Sequence, residues 1–159
     1  MLTIPKTTTI AVIIASIESA RTSGKNYIDV TKALLTKHTS LTIDNIHMLL
    51  DTFQWDKYLI NIIIATQSIK PQEVIKLLGT CKTPSYITYE CAGEQFCDDE
   101  EFIITLIATM YKRNIRYAQK LTVRFAHVIS DDGAIALLNE TDNDFYLQQA
   151  LLNVLMKVA

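Results

Sequence analysis

LTIDNIHMLLDTFQWDKYL, residues 41–59, recurs in outline twice more, as IKPQEVIKLLGTCKTPSYI at 69–87 and as ISDDGAIALLNETDNDFYL at 129–147. Each copy opens on an apolar residue and has another apolar residue five positions on. A Leu-Leu pair follows, and then a Tyr followed by Leu or Ile. The Tyr stands eight residues after the second Leu every time: Leu50 to Tyr58, Leu78 to Tyr86, Leu138 to Tyr146. A skeleton repeated at a period near thirty is the mark of stacked helical pairs. One pair cannot bury its own apolar face, so neighbours must cover it.

Extending the period outward divides the chain into five units, 7–37, 41–67, 69–96, 98–127 and 129–157. Each is expected to hold a first helix ending near the Leu-Leu position, a short link, and a second helix starting near the Tyr. The fourth unit fits with Leu106-Ile107 for the pair and Ile115 eight residues on. The first fits with an insertion, Ile13-Ile14 leading to Tyr27-Ile28, the extra residues forming a loop at TSGK, 22–25. Helix starts are marked by Thr42 and Ser130 as caps, by Pro71 at a first helical position, and by Asp98 with Glu101 as a capping box. On that reading the run CDDEE at 97–101 is an acidic first turn rather than a metal or acid-base site.

Two stretches compete with the helical reading. YLINIII, 58–64, is rich in β-branched residues and suits a strand by propensity. Its counterpart YLQQALLNVLMKV, 146–158, is a good helix former, so the helix is preferred and should be buried. Residues 80–97 are expected to be the least regular part, with Pro84 and Gly93 bracketing a turn or two of helix.

Bulk composition agrees with a globular all-α chain. The 159 residues are 49% hydrophobic and 20% charged, with only four Gly and three Pro, which disfavours a turn-rich β architecture. One domain, 1–159, is expected at this length. A net charge of -2 gives no overall pull towards nucleic acid or an anionic membrane. Three cysteines make a poor disulfide framework, which points to a reducing, intracellular, cytoplasmic setting. IAVIIASI, 10–17, is too short to span a bilayer; it faintly resembles a signal sequence, but Glu18 and the flanking threonines favour an amphipathic helix.

Leu49-Leu50-Asp51-Thr52-Phe53-Gln54-Trp55-Asp56 resembles the repeated block of a family of tandem helical domains of unknown function. There a Leu-Leu-x-x-Phe-x-[Phe/Trp]-Asp core recurs along helical segments. The resemblance extends over LTIDNIHMLLDTFQWDKYLINII, 41–63. The third unit departs from it at Cys81 and Thr83, the fifth at Thr141 and Asn143. It implies a repeated helical fold and no chemistry.

No catalytic motif is present. His38, His47 and His127 have no ligand at zinc-site spacing, and Cys81, Cys91 and Cys97, spaced by ten and six, match no standard site. A site around these cysteines and His127 is the enzyme or metal alternative. Ser23-Gly24-Lys25 lacks the rest of a phosphate loop, and Asp142 lacks the Gly and Glu of a calcium loop. The sharper feature is YKRNIRYAQKLTVRF, 111–125, where Arg113, Arg116, Lys120 and Arg124 fall within an arc of about 80° on one helical face. Such a stripe is either a solvated face paired with the nearby acids of 131–144 or a docking surface for an acidic partner helix, a phosphate or a nucleic acid backbone.

The sequence therefore predicts five helical pairs forming a short α-solenoid or compact helical bundle. It is read as a non-enzymatic interaction or adaptor module without cofactor or metal. A partner's acidic or amphipathic helix would lie in an apolar groove, steered by Arg113, Arg116, Lys120 and Arg124. Nucleic acid is the alternative partner for the same face, and self-association is open to a stack with uncovered apolar ends.

Overall fold

The structure, a computed structural model, describes residues 10–37, 41–82 and 85–156, the last four of these by backbone alone. Among them are ten α-helices and no strand: α1 Ile10–Thr22, α2 Tyr27–Lys37, α3 Ile43–Thr52, α4 Lys57–Gln67, α5 Pro71–Thr80, α6 Tyr86–Gln95, α7 Glu100–Tyr111, α8 Ile115–Phe125, α9 Asp131–Glu140 and α10 Phe145–Met156. A single 3-10 turn, Ala126–Val128, follows α8. The helices fall in five hairpins, α1–α2 through α9–α10. None is long and apolar enough to cross a membrane among the described residues.

The repeated skeleton accounts for the helix boundaries. In the three matching copies the first helix stops two residues after the Leu-Leu pair, at Thr52, Thr80 and Glu140. All six of those leucines are buried, as are Ile46, Val74 and Ala134 at the preceding apolar position. Thr42 accepts a hydrogen bond from the Asn45 N–H at 3.2 Å, and Ser130 from Gly133 at 3.1 Å, as helix caps do. Pro71 is the first residue of α5, and Glu73 turns back to accept from the Lys70 N–H.

YLINIII is helical, within α4. Leu59, Ile60, Ile62, Ile63 and Ile64 are all buried, and that burial outweighs their β propensity. Two expectations need correction. The segment expected to hold a turn or two of helix carries the ten residues of α6, capped by Ser85; Thr83 and Pro84 lie outside the described residues. The cap of α7 is Asp99, not Asp98: its carboxylate accepts from the Phe102 N–H at 3.0 Å. A turn closed by the Asp99 N–H on the Phe96 carbonyl takes up Asp98, so the helix begins one residue later. Glu100 then reaches α9, accepting from the Ser130 N–H at 2.9 Å and its hydroxyl at 2.6 Å. That completes a capping box between two helices instead of within one.

Contacts gather into two compact units, one ending at Ile69 and the other starting at Lys70. In the first, α1 touches α3 and α2 touches α4. In the second, α5 touches α7 and α7 touches α9, while α6 touches α8 and α8 touches α10. Within each unit, first helices thus pack on first helices and second helices on second helices, the alternation of stacked helical pairs. Gly93 permits the α6–α8 approach: a Cβ there would lie 2.5 and 2.7 Å from atoms of the Phe125 ring.

The links of hairpins two and five share one backbone. Trp55 N–H donates to Leu50 O and Asn143 N–H to Leu138 O, both at 2.8 Å. Gln54 and Trp55 have φ of 54° and 56°, Asp142 and Asn143 of 53° and 54°. Asp56 and Asp144 then cap α4 and α10, each accepting from two backbone N–H groups. The second oxygen of each carboxylate accepts from a tyrosine, Tyr27 at 3.1 Å and Tyr111 at 3.2 Å. Burial, and then the charge and hydrogen bond of Asp56, raise the Tyr27 hydroxyl above its usual range.

Candidate functional site: the groove between α6 and α8

The four bases of the stripe do not stay together. Arg113 precedes α8 by two residues, because Asn114 leaves helical geometry (φ −156°) and caps Tyr117. From the link its guanidinium turns inward to the end of α5. It donates to Leu78 O at 3.0 Å, to Cys81 Sγ at 3.0 Å and to Cys81 O. The Tyr89 hydroxyl donates to the same Leu78 carbonyl at 3.0 Å. Arg113 therefore supplies a positive charge and donors to the carbonyl end of a helix. Burial, first among the causes, raises the Tyr89 hydroxyl pKa against the neighbouring guanidinium.

Arg116, Lys120 and Arg124 do share one exposed face of α8, spaced i, i+4, i+8. The opposite face buries Ala118, Leu121, Thr122 and Phe125. Across from the bases runs a stripe of the same spacing on α6: Tyr86, Glu90, Glu94. Arg124 pairs with this wall, 3.0 Å from Glu94 Oε1 and 3.8 Å from Glu90 Oε2. The Lys120 ammonium stands over the Tyr86 ring, 5.6 Å from its centroid. The Tyr86 hydroxyl donates to Glu90 at 2.7 Å. Burial, then the hydrogen bond and charge of Glu90, push its pKa up to about 12. Arg116 and Lys120 form no ion pair among the described residues.

Tyr86, Arg116, Gln119, Lys120, Val123 and Arg124 outline an open groove of ≈ 590 Å³. Its apolar content is the Tyr86 ring and Val123, the latter 67% exposed. The acids at 131–144, proposed partners on sequence grounds, are not those that pair with the stripe. Glu90 and Glu94 are, and they were legible only as a second period-four stripe of opposite sign. An exposed ion pair adds little stability, so Arg124 with its glutamates contributes charge to the groove more than it clamps α6 to α8.

The cysteine and histidine alternative finds no assembled site. Cys81 is buried, Cys91 and Cys97 are half-buried, and none of the three is in a disulfide. His127 is exposed, and no group of three or more His, Cys, Asp or Glu side chains is arranged to hold a metal among the described residues. His38 lies outside the described residues. Comparison with family models, with curated proteins and with solved structures finds no match to this chain.

Proposed function

We propose that this chain is a non-enzymatic interaction module that holds an acidic, amphipathic helix of a partner protein in the α6–α8 groove. The observation carrying this reading is that Arg116 and Lys120 are exposed, and in no ion pair among the described residues, beside exposed Val123 and the Tyr86 ring. Carboxylates on one flank of a partner helix meet these two bases, and its apolar residues lie on Val123 and Tyr86. Electrostatic complementarity then steers and orients, while the apolar contact supplies residence.

Charge balance favours a protein partner over nucleic acid. Glu90 and Glu94 line the facing wall, so the three bases of α8 meet two carboxylates across the groove. The few net cations would release few counterions from a phosphate backbone, whereas two carboxylates on one flank of a helix match Arg116 and Lys120.

The test uses a labelled helical peptide with one Glu-rich and one Leu/Phe-rich flank. The full chain should bind it, and Arg116→Glu with Lys120→Glu should weaken binding about tenfold or more, over 1.4 kcal/mol. Single- and double-stranded oligonucleotides should not bind at low salt. Peptide binding indifferent to the charge reversal would sink the proposal. So would oligonucleotide binding that falls steeply with salt, which would assign the face to nucleic acid.

A further inference from the structure

Hairpins within the second unit pack on one another, and hairpin five leaves exposed, among the described residues, positions whose counterparts in hairpin three are buried or half-buried. In hairpin three, Ile75 of α5 lines a small cleft with Phe102 and Thr105 of α7. Thr88 and Ala92 of α6 are buried. The residues sixty positions on, in hairpin five, are Ile135, Gln148 and Leu152. There Ile135 is 53% exposed and Leu152 is 42% exposed. Phe145, 63% exposed, joins Leu152 on one stripe of α10 at spacing i, i+7. Hairpin five thus exposes Ile135 and Leu152 where hairpin three has half-buried Ile75 and buried Ala92.

We infer that this face, Ile135, Phe145 and Leu152, docks the first hairpin of a second copy of the chain. The interface continues the hairpin-on-hairpin packing inside the second unit, so its natural occupant is another such hairpin. Charge selects which one. Residues 129–156 carry five acids, Asp131, Asp132, Glu140, Asp142 and Asp144, and no base. Residues 10–37 carry four bases, Arg21, Lys25, Lys32 and Lys37, against Glu18 and Asp29. The exposed flank of α1 is an open groove lined by Ala11, Val12, Ala15, Ser16 and Ser19, whose short side chains admit a helix closely. Val12 stands 51% exposed within it. An acidic apolar end and a basic small-residue end are complementary but unlike, so the contact is head-to-tail and does not close at two copies.

Sedimentation velocity on the full chain tests this without any added ligand, and independently of the α6–α8 groove. Association should grow with concentration, pass beyond dimers, and weaken as salt rises. Leu152→Arg and Val12→Arg should each weaken it about tenfold or more. Both positions are exposed, so the helical circular-dichroism spectrum and melting temperature should remain those of the unchanged chain. Mixing the two variants should yield a one-to-one dimer that grows no further, since each retains one intact end. A monomer at every concentration overturns the inference. So does a dimer that stops at two copies, or association sensitive to only one of the substitutions.

Discussion

Hairpins two and five turn the same corner with different residues. Phe53-Gln54-Trp55-Asp56 and Thr141-Asp142-Asn143-Asp144 share two consecutive left-handed residues, the same closing hydrogen bond to the second Leu of the pair, and the same Asp cap. In the fifth link Asp and Asn occupy the left-handed positions, which they tolerate well. In the second, Gln54 and Trp55 do, at a cost of about 1–2 kcal/mol per residue. Burial decides the matter there: Phe53 and Trp55 are in the core, and the indole N–H donates to Asp51 at 2.9 Å. Fully burying an aromatic side chain contributes about 1.5–3 kcal/mol, enough to offset the strain. The shared parts, a Leu pair before and a carboxylate after, set the path, and the residues between them can satisfy it by packing or by conformational preference.

The largest effect should come from removing the packing solution. Trp55→Ala should cost about 3–5 kcal/mol in a denaturant melt, against about 1 kcal/mol for exposed Asn143→Ala, which gives up only the left-handed tolerance of Asn. Equal losses would mean that the two links are held alike after all. Next come the caps: Asp56→Ala and Asp144→Ala should each cost about 1–2 kcal/mol, because each removes acceptors from two helix N–H groups. A marked inequality would locate the difference in the caps rather than between them. Smallest should be the relief of strain, Gln54→Gly stabilising by about 0.5–1 kcal/mol while Asp142→Gly stays near zero.

Alkaline pH sharpens the comparison further. The Tyr27 hydroxyl is raised in the folded chain, by burial and then by Asp56, above the usual value near 10. The unfolded chain therefore loses that proton first, and stability falls as pH rises above about 10. Tyr86, pushed up to about 12, extends the same loss towards that pH. Denaturation midpoints measured between pH 9 and 11.5 should decline, and less steeply for Tyr27→Phe. A midpoint insensitive to pH over this range would remove the Tyr27–Asp56 contact from the description.

Much of the fold was legible before any coordinates. Leu49-Leu50, Leu77-Leu78 and Leu137-Leu138 mark where first helices end, because a paired apolar position near a helix end must face the core. The repeated Tyr marks where second helices begin, yet for a reason that periodicity does not supply. Tyr58 and Tyr146 are exposed, and the core contact belongs to Leu59 and Leu147 after them.

The site was legible in part. Arg116, Lys120 and Arg124 share a face as their spacing implies, because i, i+4, i+8 is a local property of a helix. Arg113 left the face because a three-residue link and the Asn114 cap intervene, and its partner, the end of α5, lies thirty-odd residues away in sequence. Glu90 and Glu94 were invisible as partners for the same reason: only the packing of α6 on α8 brings them to Arg124.

The functional claim meets its most direct test in backbone amide shifts of the full chain, titrated with the acidic amphipathic peptide. Shifts should concentrate on residues 86–94 and 116–124, and vanish for Arg116→Glu with Lys120→Glu. Shifts centred elsewhere, on α3 and α4 for example, or unchanged by the charge reversal, would contradict it.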